Sequence, residues 1–235
     1  MEGFIGGNFI LGGLTLGNED YIKLGLTYTH GFHHTYASDS PRIGPEIFAW
    51  VPAGCPPIPT VHVPATDPGS RANYWDPRRY GWVIKRQETP KACKIAPGFY
   101  HQADFYNKNG FFVENSGYHL RPEVLELYYY AYRATGDPMY QDWAWDAFLA
   151  INATARAGTG FTNFHGINSG WYIQWTDHQE SFWFAKTLKY LYIIFAEQDA
   201  EWQVNAKGCG GREGWVFNTE AHPLRVRNAM PSRKT

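Results

Sequence analysis

The sequence is short of charge, cysteine and long apolar runs, and each shortage excludes something. Only 18% of its 235 residues are Asp, Glu, Lys or Arg, and they nearly cancel to a formal charge of −1. Such a chain offers no basic field to nucleic acid or an anionic membrane surface. Mean hydropathy is −0.44, and no apolar run reaches the ~18 residues of a membrane span. The three cysteines, Cys55, Cys93 and Cys209, form no Cys-x-x-Cys pair, so zinc is not expected. Cys55 and Cys93 flank a long loop. Spacing leaves open whether they pair, and an odd count leaves one thiol over. The opening MEGFIGGNFILGGLTLG is apolar and glycine-rich but lacks a basic start, and does not read as a signal peptide.

What the chain has in quantity is aromatic surface: 17% of residues, with 10 Trp and 16 Tyr. Flat rings with polar edges suit packed helices, and also carbohydrate sites, where rings meet the apolar faces of sugars. The length supports one substantial core, or a domain and a half. Asn152-Ala-Thr is a glycosylation acceptor pattern that has meaning only in a secretory chain.

Four stretches read as helix. Residues 18–32 open on Asn18 as an N-cap and place Tyr21, Leu24 and Tyr28 near helical spacing. Residues 121–136 start with Pro122 in the first turn and stop at Gly136. Residues 137–158 put Tyr140, Trp143, Ala144, Ala147, Phe148 and Ile151 on one stripe closed by Gly158. Residues 179–197 put Phe182, Ala185, Leu188, Leu191, Tyr192 and Phe195 on a wide apolar face, with Asp177 as candidate cap. Residues 51–100 are proline-dense and read as a surface insertion. The pattern is all-α, helical hairpins rather than strand–helix alternation.

Three short stretches could carry chemistry. In YHLRPEVLE, Pro122 sets Glu123 in a first helical turn, where free N–H groups favour a carboxylate suited to act as a base. Arg121 lies beside it, and Glu126 follows on the same face. An ordinary acidic first turn is the plainer reading. In DHQESFWFAKTLKY, Glu180 and Phe182 stand near a helix start. In VFNTEAHP, Thr219 offers a hydroxyl and a carbonyl, and Glu220 a carboxylate, donors of the type a hard cation such as Ca²⁺ takes. A hairpin tip is the plainer reading there, and His222 before proline is more simply structural.

Together and in order, GFIGGNFILGG, YASDSPRIGPE, the long run from GFYHQADF to DWAWDAF, QESFWFAKTLKYLYIIFAE and VFNTEAHPLRV resemble the class I α-1,2-mannosidases, glycoside hydrolase family 47, most closely the secreted fungal type. The resemblance implies an (α/α)7 barrel of helical hairpins plugged by a C-terminal β-hairpin. It implies inverting, calcium-dependent removal of terminal α-1,2-linked mannose from high-mannose N-glycans. Glu123 is then the catalytic base, Thr219 the metal ligand, and Arg121, Glu126, Phe182 and Glu220 the substrate-binding residues. It further implies a secretory-pathway or secreted protein, a monomer when complete. Residues 1–235 are expected to be the C-terminal portion of one barrel, with the general acid in the N-terminal half outside it. The alternative is a mannose-glycan binder in glycoprotein quality control.

The chain departs from the family pattern at several points. Met1 stands where a His-Leu pair is usual. Gly3 and Phe32 stand at the positions of a fungal disulfide, and Leu127 replaces a serine. Lys186 replaces a glutamate, setting a positive charge where a divalent cation is expected, which should weaken metal binding, catalysis or both.

Overall fold

The computed structural model describes residues 3–38, 40–55, 93, 97–167, 172–197, 200, 203–204, 214–218 and 220–226. The chain divides into two compact units, Met1–Glu46 with Ser116–Thr235, and Ile47–Asn115.

The larger unit is predominantly helical. Its first helix, α1 (Gly3–Leu16), arises from the glycine-rich opening that carries no apolar stripe. Gly3, Gly6, Gly7, Ile10 and Gly13 are nonetheless buried at helical spacing. Glycine costs a helix roughly 1 kcal/mol each relative to alanine, and here it permits close approach. A Cβ on Gly25 of the next helix would lie 2.5 Å from Ile10 Cγ1 and 2.6 Å from the Gly6 carbonyl oxygen.

That next helix, α2 (Glu19–Ala37), is capped as expected: the Asn18 carboxamide accepts from the N–H groups of Asp20 and Tyr21. Its expected stripe faces the wrong way. Tyr21, Leu24 and Tyr28 are exposed, while Gly25, Thr29 and Tyr36 are buried. The contact with α1 is too close for rings at its centre, so the rings of Tyr21 and Tyr28 flank it against Phe9 of α1, at centroid distances of 5.8 and 6.2 Å.

The centre of the unit is α4 (Glu123–Thr135). Every residue from Glu123 to Tyr132 is buried, so this helix is enclosed on all sides. Gly136, left-handed at φ 71°, ends it by donating to the Tyr132 carbonyl, as expected. The antiparallel partner, α5 (Met139–Ala155), buries Tyr140, Ala144, Ala147, Ile151 and Ala155. It ends at Ala155 rather than Gly158, because Arg156–Ala157 (β4) turns back around Gly158 onto Gly160–Phe161 (β5).

The fourth expected helix is shorter and rotated. A π-helical segment, Trp183–Leu188, runs into α6 (Lys189–Ile193). Asp177 does not cap it; Phe182 holds that position, and Asp177 sits at φ 53° in the preceding loop. The wider π turn shifts the buried face to Trp183, Lys186, Thr187, Tyr190 and Ile194. Of the expected face, only Leu191 is buried, while Tyr192 and Phe195 are exposed. Strands β3 (Gly117–Tyr118), β6 (Phe164–His165) and β7 (Gln174–Trp175) form a small antiparallel sheet. The C-terminal hairpin is present, with β8 (Gly214–Phe217) paired to β9 (Pro223–Val226).

In the smaller unit, β1 (Ile47–Ala49) pairs antiparallel with β2 (Phe112–Asn115). A 3-10 turn, Pro97–Gln102, leads into α3 (Ala103–Asn109). Phe112 packs with Ala103, Phe99 and Tyr106. Cys55 and Cys93 form a disulfide. The unit begins and ends outside the expected 51–100 insertion, most of which lies outside the described residues.

Candidate active site

The short loop between β3 and α4 carries the densest chemistry of the larger unit. Leu120 takes φ 55°, a conformation costly for a branched side chain, and Thr187 Oγ1 donates to its carbonyl at 2.6 Å. That bond ties the loop to the π segment. Pro122 then holds the cap position and Glu123 begins the helix.

Glu46 secures the loop from the other side. Its side chain is only 8% exposed, and Oε2 lies 2.6 Å from Arg121 Nε. The His119 N–H donates to Oε1 at 2.9 Å, and the Glu46 N–H donates to the Gly117 carbonyl at 3.0 Å. Tyr118 donates its hydroxyl to the Arg121 carbonyl at 3.2 Å. Burial works against the charge on Arg121, but Glu46, with Glu123 and Glu180 beyond it, more than offsets this and holds the guanidinium above its usual range.

Glu123 and Glu126 are each 7% exposed at the start of α4. Burial raises the Glu126 carboxyl to about 7, and the neighbouring Glu123 adds to the rise; Tyr190 and Lys186 act against it. Glu126 Oε2 is buried with no hydrogen-bond partner among the described residues. Lys186, 6% exposed, reaches the same region from the π segment, its Nζ 5.1 Å from the Phe4 ring centroid. Gly3 packs directly on this corner: a Cβ there would lie 2.9 Å from Glu123 Cβ.

The hairpin tip is anchored close to α6. Lys189 Nζ donates to the Ala221 carbonyl and lies 4.0 Å from the Phe217 ring centroid. Asn218 Oδ1 accepts from the N–H groups of Glu220 and His222, so the strand break at Asn218 closes a tight turn.

Arg121, Glu123 and Glu126 therefore gather at one helix start, and Lys186 acts electrostatically on Glu126. Phe182, half-buried, heads the segment that carries Lys186. Glu220 is exposed on the tip. Thr219 lies outside the described residues. Sequence reasoning missed Glu46 as the partner of Arg121; its only signal was a place inside the PRIGPE stretch.

A family model described as glycosyl hydrolase family 47 matches residues 1–226. A mannosyl-oligosaccharide α-1,2-mannosidase of Coccidioides posadasii is 43% identical over 95% of this chain and 34% of its own length. One from Penicillium citrinum is 36% identical over the same shares of the two chains, 95% and 34%. The solved α-1,2-mannosidase from Trichoderma reesei superposes with a TM-score of 0.70 at 38% identity, covering 96% of this chain and 38% of that one. The chain thus spans about a third of the length of the curated relatives it matches.

Proposed function

Because the chain belongs to glycosyl hydrolase family 47, we propose that it takes part in removing terminal α-1,2-linked mannose from high-mannose N-linked oligosaccharides, with inversion. On this reading it forms part of an (α/α)7 barrel, and its hairpins α1–α2 and α4–α5 are segments of that ring. The supporting observation is the pair of enclosed carboxylates, Glu123 and Glu126, beside a clamped Arg121.

Glu123 serves as the base. It takes a proton from a water that attacks the anomeric carbon from the face opposite the leaving sugar. The glycosidic C–O bond breaks as the new bond forms, and the departing oxygen needs a proton from an acid on the leaving-group side of the ring, across from Glu123. Inversion requires the two groups to stand roughly 6.5–9.5 Å apart with the water between. None of the described residues is assigned the acid. Arg121, fixed by Glu46, donates to sugar hydroxyls in a set direction. Glu126, which takes up a proton readily, can donate as well as accept. Phe182 offers an apolar ring, and Glu220 approaches from the hairpin tip.

The resemblance also implies calcium, held through Thr219. The described residues around Glu126 do not fit a divalent cation, because the buried ammonium of Lys186 already faces that carboxylate. No step above passes through the metal. A substrate of this class fits a protein that works in the secretory pathway or outside the cell, as a monomer. No helix among the described residues is long and apolar enough to cross a membrane.

Lys186 also favours a second reading, a glycan-binding protein without hydrolysis. The two separate by ¹H NMR of α-1,2-mannobiose incubated with the chain. β-Mannose appearing first, and abolished in Glu123→Gln, supports hydrolysis. Binding without product supports the second reading, and α-mannose appearing first refutes the proposed role of Glu123.

A further inference from the structure

The mechanism leaves Lys186 without a task, yet it is the least ordinary residue of the cluster. Its side chain is 6% exposed, and it makes no ion pair or hydrogen bond among the described residues. A buried ammonium is costly unless something compensates it. The Phe4 ring lies 5.1 Å from its Nζ, the next residue, Thr187, is bonded to the Leu120 carbonyl just before α4, and Lys186 acts electrostatically on Glu126, whose Oε2 also lacks a hydrogen-bond partner among the described residues. Glu46 is already occupied by Arg121 at 2.6 Å, so it does not compensate Lys186. Three residues on, Lys189 brings a second ammonium to the same end of the molecule, tethered to the Ala221 carbonyl beside the hairpin tip.

A hard divalent cation gathers six or more oxygen ligands, several of them anionic, at 2.3–2.6 Å for calcium. Among the described residues, no three His, Cys, Asp or Glu side chains converge in that way.

We propose that the Lys186 ammonium is the resident cation of this site, balancing the Glu126 carboxylate in the first turn of α4 so that the acidic cluster is held without a divalent metal. The inference rests on the cluster being the sugar site, but not on the chain being an active hydrolase. It predicts a protein indifferent to calcium, in which one charge reversal creates a dependence on calcium.

The test is thermal unfolding of the full 235-residue chain in EDTA and in excess Ca²⁺, with calorimetric titration of Ca²⁺ in parallel. The wild-type midpoint should be the same in both, with no heat of binding. Lys186→Glu should fall by several degrees in EDTA and recover in Ca²⁺. Lys186→Met, which keeps length and removes charge, should lose more stability at pH 8 than at pH 5, where Glu126 holds its proton. Wild-type chain whose midpoint rises with Ca²⁺ overturns the proposal, as does a Lys186→Met variant as stable as wild type at both pH values. Mannose release is measured separately. An inactive chain that ignores calcium removes the hydrolytic reading and leaves this one, whereas release that requires added Ca²⁺ overturns this one alone.

Discussion

Replacing Glu46 by glutamine tests how the loop before α4 is held. The substitution keeps shape but removes the charge that faces Arg121 Nε at 2.6 Å. A hydrogen bond to a charged group contributes about 1.5–3 kcal/mol. Arg121 is 39% exposed, so water recovers part of the loss and about 1–2 kcal/mol remains. For a chain of this size that lowers the thermal midpoint by about 2–8 °C. The His119 N–H, donating at 2.9 Å, still finds an acceptor in glutamine, so the loop itself survives. If Arg121 binds sugar only when clamped, affinity for α-1,2-mannobiose, read by calorimetry, drops about 5- to 30-fold for the same energy. A midpoint that falls while affinity stays unchanged would refute the reasoning, because Glu46 would then hold the fold and Arg121 would not meet the sugar.

Three further outcomes follow from the packing and the charges. Because Glu126 is raised to about 7, the folded state binds a proton that the unfolded state has released. Stability is therefore greatest below about pH 4.5 and declines as pH rises through 7, by about 3 kcal/mol at most; urea midpoints across that range should show the slope, and Glu126→Gln should flatten it. His33 behaves in the opposite sense. Burial, aided by His30, lowers it to about 4 against the pull of Asp146. Its contribution holds above pH 6.5 and is lost as pH falls through 4, so His33→Asn should remove that acid limb at the expense of stacking on Trp143, now at 3.6 Å. Gly25→Ala forces a methyl onto the Gly6 carbonyl, 2.6 Å away, and should destabilise the α1–α2 hairpin by about 1–3 kcal/mol in chemical denaturation.

Local chemistry was legible in the sequence where one residue type performs one backbone task. Asn18 capped α2, Gly136 closed α4, and the small residues of α5 faced inward, as their spacing requires. The breaks came where burial is set by a partner rather than by hydrophobicity. The stripe of α1 is mostly glycine, which reads as a loop until a second helix lies against it. On α2 that closeness expelled Tyr21, Leu24 and Tyr28, the residues that a search for apolar periodicity selects first. A π turn rotated the segment after Phe182, burying Lys186 and Thr187 in place of Ala185 and Leu188. In the site, Arg121, Glu123 and Glu126 stand within six residues and could be seen together. Glu46, 75 residues from Arg121, could not, since only the fold brings the two into contact.

The claim on which the account depends is that the enclosed corner formed by Arg121, Glu123, Glu126 and Lys186 is a mannose pocket. Saturation-transfer NMR of α-1,2-mannobiose against the full chain addresses it without requiring turnover. The account predicts transfer to the terminal mannose of the wild-type complex and its loss in Glu126→Gln, measured at a temperature where circular dichroism shows the variant folded. No transfer to wild type, or the same transfer to the variant, would contradict it.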